Sequence, residues 1–160
     1  MNRAKLNPLD PRFGFRSRGG FDETSSESPK YNCIAWAAGD DSRWWWPDSQ
    51  NLYFWPQNSP RQETVDAFVA VFASLGFCVC DNSAVEDGYD KIAIFAKGDK
   101  PTHAARQITS GNQAGRWTSK MGKNIDIVHD LEAASGPAYG EVRVIMRRLG
   151  SHTSNDTVST

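Results

Sequence analysis

The order of the hydrophobic patterns along this chain constrains the fold more than any other feature of the sequence. Apolar residues recur at helical spacing between about residues 65 and 75, and short strand-like runs follow. Helices that precede a set of closely spaced strands are typical of an α+β domain, with the helices against one face of an antiparallel sheet. We therefore expect N-terminal helices packed on a small antiparallel sheet of about four to five strands.

One long helix and four strands can be placed on this pattern. The sequence at 59–62, Ser-Pro-Arg-Gln, has an N-cap residue, a proline at the first helical position and a glutamine at the third, so it predicts a helix start at Ser59. Gly76 suits the end of this helix. Apolar and β-branched runs predict strands at 77–80, 91–96, 102–108 and 116–120. The last two strands should form an antiparallel hairpin.

Two later segments are less uniform in pattern. The spacing of Ile125, Val128 and Leu131 predicts a short helix, which would carry His129 on its surface. Residues 139–149 fit both an alternating strand and one face of a helix, so this segment stays open.

The length and composition indicate a single domain. With 160 residues, of which 39% are hydrophobic, the chain can bury one core, which we place at 31–149. Residues 1–30 mix proline, glycine and serine without apolar periodicity and should form an irregular lead-in. Residues 150–160 are mostly small and polar, which is typical of a disordered tail.

Charge and hydropathy exclude several classes of partner. The net charge is −1, so the chain has no overall field that would attract it to nucleic acid or to an anionic membrane. No apolar run approaches the length of a membrane span, and the N-terminus lacks the apolar core of a secretory signal. Three cysteines, two of them separated by one residue, do not suggest a disulfide framework. We expect a soluble, cytoplasmic protein.

A cysteine and a histidine carry the strongest chemical signal. Cys33 opens the short apolar helix of the run 31–38, and His103 lies on a later predicted strand. A helix N-terminus lowers a thiol pKa, and an imidazole can take the proton, so the pair could act as nucleophile and base. The alternative remains open that Cys33 is a small core residue and His103 a half-exposed strand residue.

Other site classes have weaker support. Cys78 and Cys80 lack the loop geometry of common zinc sites, and no glycine-rich phosphate loop is present, so no metal or cofactor is expected. Five of the six tryptophans lie between residues 36 and 55. Such a cluster is more typical of a packing wall than of a substrate platform. Trp36 and Trp46 are nevertheless candidates for the wall of a substrate site.

Three motifs make the chain resemble a known group of proteins. They are Tyr-Asn-Cys-Ile-Ala-Trp-Ala from Tyr31, His-Ala-Ala-Arg-Gln from His103 and Trp-Thr-Ser-Lys-Met-Gly from Trp117. Together they resemble an uncharacterised bacterial domain family over the segment 31–148. The arrangement is also similar, more distantly, to papain-like and NlpC-type cysteine hydrolases, in which a helix-borne cysteine faces a strand-borne histidine.

The resemblance implies roles for individual residues. Cys33 would be the nucleophile and His103 the base. The third member of such sites orients the imidazole from the next strand, where Ser119 is the candidate and Asp126 its rival. A serine is an unusual residue in this position. Asn32 would either cap the helix or lie near the oxyanion.

Two functions follow as expectations. The first is a Cys-His hydrolase, amidase-like or peptidase-like, or an acyl transferase, acting on a peptide, amide or acyl substrate through an acyl-enzyme. The second is a papain-like module without turnover that binds a protein partner in a bacterial or phage system.

Overall fold

The fold is a mixed α+β arrangement of two short helices and one large sheet. A computed structural model describes residues 21–25, 30–121 and 126–150. The described elements are β1 (Phe21–Ser25), α1 (Cys33–Ala38), α2 (Val65–Ser74), β2 (Cys78–Cys80), β3 (Tyr89–Lys97), β4 (Lys100–Gln107), β5 (Trp117–Lys120), β6 (Asp126–His129), a 3-10 helix (Leu131–Ala134) and β7 (Glu141–Leu149). The α+β class predicted from the sequence is confirmed.

The sheet is larger than the sequence pattern indicates. In the described residues it has seven strands in the order β1-β6-β5-β4-β3-β7-β2, and every neighbouring pair is antiparallel. The four predicted strands are present as β2 to β5. The additional strands are β1, β6 and β7, so the expectation of about four to five strands is wrong. Segment 139–149, left open above, contains a strand and not a helix.

The predicted helix around residues 125–131 is wrong. Residues Asp126–His129 form β6, and only the following four residues turn into a 3-10 helix. All four β6 residues are buried between β1 and β5, and burial on both faces removes the alternation by which a strand is recognised. Tertiary packing therefore decided the conformation of this segment.

The expected irregular lead-in is interrupted by a strand. Residues 21–25 pair with β6 at the edge of the sheet. Their backbone pairing requires no apolar pattern, which is why the polar sequence gave no strand signal. The rest of the predicted lead-in up to residue 29, and the predicted tail from residue 151 onward, lie outside the described residues.

The long helix begins later than predicted. Its N-cap is Thr64, whose Oγ1 accepts a hydrogen bond from the Ala67 N–H at 3.2 Å. Residues 59–62 support a loop instead: the Pro60 carbonyl accepts from Trp55 Nε1 at 2.8 Å, and the Arg61 guanidinium binds the carbonyl of Tyr53 at 2.7 Å. The helix ends at Ser74, close to the predicted stop.

The sheet is covered on both faces over its centre. One cluster of buried residues contains both helices and alternate positions of β3 and β4, among them Ile92, Ile94 and Ala104. The second cluster contains the intervening positions, among them Ala93 and Ala105, with residues of the 3-10 helix. The central strands are therefore almost continuously apolar.

No helix in the described part of the chain has the length and apolar character that a membrane crossing requires.

Candidate functional site

Two histidines and a serine form a buried chain of hydrogen bonds across three neighbouring strands. Ser119 Oγ on β5 lies 2.8 Å from His103 Nε2 on β4 and 2.6 Å from His129 Nε2 on β6. All three residues are fully buried. The sheet order β4-β5-β6 places these strands side by side, so their side chains on one face can meet.

Aromatic rings enclose His103. The Tyr139 ring stacks on the imidazole, with centroids 4.0 Å apart and planes 7° apart. The Phe95 ring meets it edge-on at 5.3 Å. Burial in this setting lowers the pKa of His103 well below its usual value, and the charge of His129 adds to the effect. His103 is therefore a neutral imidazole at pH 7, and it is not the half-exposed residue of the alternative reading.

The second ring nitrogen of His129, Nδ1, makes a hydrogen bond with the backbone. Nδ1 lies 2.7 Å from the backbone carbonyl oxygen of Asp130. Burial lowers the pKa of His129 to about 4, although the Asp130 carbonyl works against this shift. The prediction that His129 lies on the surface of a helix is wrong, because β6 places it in the interior.

Cys33 lies at the first position of α1 with 8% of its surface exposed. Burial raises the pKa of its thiol from 9.0 to about 11. Hydrogen bonds from the backbone at Ala104 and Ile34, and the positive charge of Lys120, oppose this shift without cancelling it. The result is the reverse of the lowered pKa that the helix N-terminus leads one to expect.

The residues that influence the Cys33 thiol are sequence neighbours of the histidine chain. The backbone partner of the thiol, Ala104, directly follows His103, and Lys120 directly follows Ser119. The pKa of Tyr139 is raised by burial and, to a lesser extent, by the charge of Cys33. Among the described residues, the buried Nδ1 of His103 has no hydrogen-bond partner.

The backbone register of β4 with β5 ends before it reaches His103 and Ala104. The register of β4 and β5 includes only the pairs Arg106↔Thr118 and Gln107↔Trp117. His103 and Ala104 lie beyond these pairs, so their backbone is not matched with β5. Cys33, the first residue of α1, interacts with the backbone of Ala104 in this part of β4, and the helix contacts both strands.

Asn32 has a structural task at the start of α1. Its Oδ1 accepts hydrogen bonds from the N–H groups of Ala35 at 3.2 Å and Trp45 at 3.1 Å. Its Nδ2 donates to the Trp45 carbonyl at 2.7 Å. The side chain thus caps the helix and fastens it to the following loop.

Asp126 is engaged with Tyr31. Its Oδ2 accepts from the Tyr31 hydroxyl at 2.6 Å. The ammonium of Lys120, the cross-strand partner of Asp126, lies 5.1 Å from the centre of the Tyr31 ring. His103 is hydrogen-bonded to Ser119, so the two candidate orienting residues occupy different settings.

The two candidate wall residues are both half-buried and pack against the core cluster on the helical face. The Arg106 guanidinium lies over the Trp36 ring at 4.2 Å. Trp46 packs edge-on against Phe68 of α2 at 5.5 Å. Both tryptophans therefore have packing contacts with the core.

Sequence reasoning missed His129 and Tyr139. A strand reading of residues 126–129 would have placed His129 beside Ser119, but the helical spacing around it hid this possibility. Tyr139 follows a loop, and no periodicity in the sequence indicates its stacking on His103.

The part of the chain that the structure describes shows no cluster of metal ligands. The described residues contain no group of three or more His, Cys, Asp or Glu side chains arranged to hold a metal ion. Cys78 is exposed and Cys80 is half-buried on β2, the edge strand at the opposite end of the sheet from β1.

The fold and the site together define an α+β domain with a histidine-serine-histidine chain inside its sheet. The model of the family described as Domain of unknown function (DUF7689) matches residues 22–147, and the chain belongs to this family. The expected membership of an uncharacterised domain family is thus confirmed. No curated protein and no solved structure matches the chain.

Proposed function

We propose that this protein is a papain-like cysteine hydrolase or acyl transferase, with Cys33 as nucleophile and His103 as base. One observation carries the proposal. His103 has a buried, unpartnered Nδ1 among the described residues, and the Cys33 thiol is bound by the backbone of the very next residue. A base nitrogen with no partner, on the residue that directly precedes the thiol's backbone contact Ala104, is suited to accept the thiol proton.

The reaction would proceed through an acyl-enzyme. Cys33 Sγ attacks the carbonyl carbon of a peptide, amide or thioester, and its proton passes to His103 Nδ1. The carbonyl oxygen takes up the electron pair, and the N–H groups of Cys33 and Ile34, which interact with the thiol before the attack, would be its donors. When the tetrahedral intermediate collapses, His103 returns the proton to the leaving amine or thiolate. Water, or an acceptor amine, then releases the acyl group.

Both groups would be neutral before the substrate binds. The pKa of the thiol is raised to about 11 by burial, and that of His103 is lowered by burial. The proton therefore moves during the attack on the carbonyl, and no thiolate-imidazolium pair forms beforehand. All three cysteines are free, which agrees with a cytoplasmic location.

The test is acylation of the intact protein by a small thioester, followed by mass spectrometry. Cys78 and Cys80 are first replaced by serine, so that only Cys33 can react. We expect one acyl group per chain, lost in Cys33→Ala, and a rate that falls by about 10²–10⁴-fold in His103→Ala. An acylation rate that is unchanged in His103→Ala would rule the proposal out.

The burial of Cys33 favours a second candidate, a papain-like module that binds a protein partner without turnover. A thiol that is 8% exposed and has a pKa of about 11 behaves like a core residue. In that case the thioester leaves Cys33 unmodified in the folded protein, and Cys33→Ala retains full binding of the partner.

A further inference from the structure

The direction of each hydrogen bond in the histidine chain can be derived, starting from the backbone of Asp130. A carbonyl oxygen only accepts, so His129 Nδ1, 2.7 Å away, must carry a hydrogen. His129 is neutral near pH 7, because burial lowers its pKa to about 4. A neutral imidazole has one hydrogen only, and His129 Nε2 is therefore an acceptor.

The hydroxyl of Ser119 links the direction of the His129 hydrogen bond to that of the His103 hydrogen bond. This hydroxyl has a single hydrogen, which must be donated to His129 Nε2 at 2.6 Å. The same oxygen can then only accept from His103 Nε2 at 2.8 Å. His103 thus carries its hydrogen on Nε2, and its Nδ1 keeps a lone pair.

The opposite direction is excluded by electrostatics. If Ser119 donated to His103 Nε2, it would have to accept from His129 Nε2–H. Neutral His129 would then turn a lone pair on Nδ1 toward the Asp130 carbonyl at 2.7 Å, where two acceptors repel each other. The backbone carbonyl therefore selects one tautomer for both rings.

We infer that His129 is a positioning residue, which acts through Ser119 to hold His103 in the tautomer with a free Nδ1. The inference rests on the proposed function, since it supplies the base that Cys33 needs. His129 itself touches no substrate. It does for His103 what a carboxylate does in many triads, but as a neutral group.

The test is the tautomer of His103, determined by two-bond ¹H–¹⁵N NMR correlation, which distinguishes protonated from unprotonated ring nitrogens. In the wild type we expect Nε2 protonated and Nδ1 unprotonated. In His129→Leu the Ser119 hydroxyl loses its acceptor and can donate to His103 Nε2, so the tautomer should reverse. The matched control is His129→Gln, whose amide oxygen can accept from Ser119 and should preserve the wild-type tautomer.

Thioester acylation of Cys33 in the same proteins separates the inference from the proposed function. We expect the acylation rate to fall by about 100-fold in His129→Leu and to recover at least in part in His129→Gln. If the tautomers behave as expected but the wild type is never acylated, the proposed function fails and the tautomer control stands.

Three results would overturn the inference. They are a wild-type His103 protonated on Nδ1, an unchanged tautomer in His129→Leu, and a reversed tautomer with undiminished acylation. Ser119→Ala provides a second variant in case His129→Leu does not fold. It removes both hydrogen bonds, so a mixture of tautomers supports the inference, whereas a retained single Nε2–H tautomer contradicts it.

Discussion

At the scale of single residues, the reactivity of Cys33 is a balance between burial and local hydrogen bonds. Burial is the larger effect and raises the pKa of the thiol to about 11. Backbone donors at Ala104 and Ile34 lower it again in part. The thiol is therefore protonated at neutral pH, which disfavours its reaction with general thiol reagents.

We expect slow alkylation of Cys33 by iodoacetamide, with a rate that is still rising at pH 10. The physical reason is that only the thiolate reacts, and burial disfavours it. The measurement is the pH dependence of Cys33 labelling in the Cys78→Ser, Cys80→Ser background. A matched control retains the exposed Cys78 and replaces Cys33 and Cys80. Labelling of Cys33 at pH 7 as fast as that of Cys78 would contradict the burial argument.

His129 shows what a residue pattern can and cannot reveal. The motifs of Cys33, His103 and Ser119 gave the candidate site from the sequence, and the structure does join His103 to Ser119. The position of His129 in this site was not predicted, because its neighbours Val128 and Leu131 have helical spacing. The hydrogen bond on which its proposed role rests is donated to the backbone carbonyl of Asp130, and no side-chain pattern can predict it.

At the scale of elements, local signals predicted the interior strands better than the helix boundaries. Strands β3 and β4 are strongly apolar and were located within a few residues. The Ser-Pro-Arg-Gln sequence at 59–62 fits a helix start, but its groups bind the tryptophan-rich loop instead. The edge strand β1 depends on pairing with β6, a contact between segments distant in the chain, and local pattern carries no such information.

The position of α1 depends on Asn32. We expect Asn32→Ala to lower the free energy of unfolding by about 2–3 kcal/mol, since it removes a helix cap and the bonds to Trp45 together. The matched control is Thr64→Ala, which removes the cap of α2 alone and should cost about 1 kcal/mol. Urea denaturation of the three proteins measures the difference. Equal losses in the two variants would mean that the bonds to Trp45 contribute nothing.

The start of β7 approaches β3 closely at Gly140. Its φ is +77°, and a Cβ there would collide with the Ala96 carbonyl. We expect Gly140→Ala to cost about 1–3 kcal/mol more than Gly98→Ala, which has φ +62° but open space around it. Thermal unfolding of both variants measures this. Because Tyr139 precedes Gly140 and stacks on His103, the His103 ring resonances should shift in the first variant only.

At the scale of the whole molecule, the buried site limits the pH range in which the protein is stable. Folding lowers the pKa of His129 from 6.5 to about 4. This stabilisation is present above pH 6.5 and is lost as the pH falls toward 4. Folding raises the pKa of Cys33 from 9.0 to about 11, so its contribution is present below pH 9.0 and is lost as the pH rises toward 11.

We therefore expect stability to be greatest between pH 7 and 9, with a loss of about 2 kcal/mol from His129 between pH 7 and 5. Urea denaturation across this range measures the profile. His129→Gln should reduce the acid loss and Cys33→Ala should reduce the alkaline one, each without affecting the other side. A wild-type profile that is flat from pH 5 to 7 would show that the histidines are not buried as neutral groups.

The short register between β4 and β5 makes the side chains of His103 and Ser119 part of the connection between these strands. The register of the two strands has two pairs, the Ile108 N–H beyond them donates to the Arg116 carbonyl at 2.8 Å, and His103 and Ser119 join the strands again through side chains. The side chains of His103 and Ser119 thus connect two halves of the sheet and also belong to the proposed catalytic hydrogen-bond chain. A substitution at either residue therefore alters both the stability of the protein and the proposed proton transfer. The activity of such a variant has to be compared with that of the wild type at temperatures equally far below the unfolding temperature of each protein.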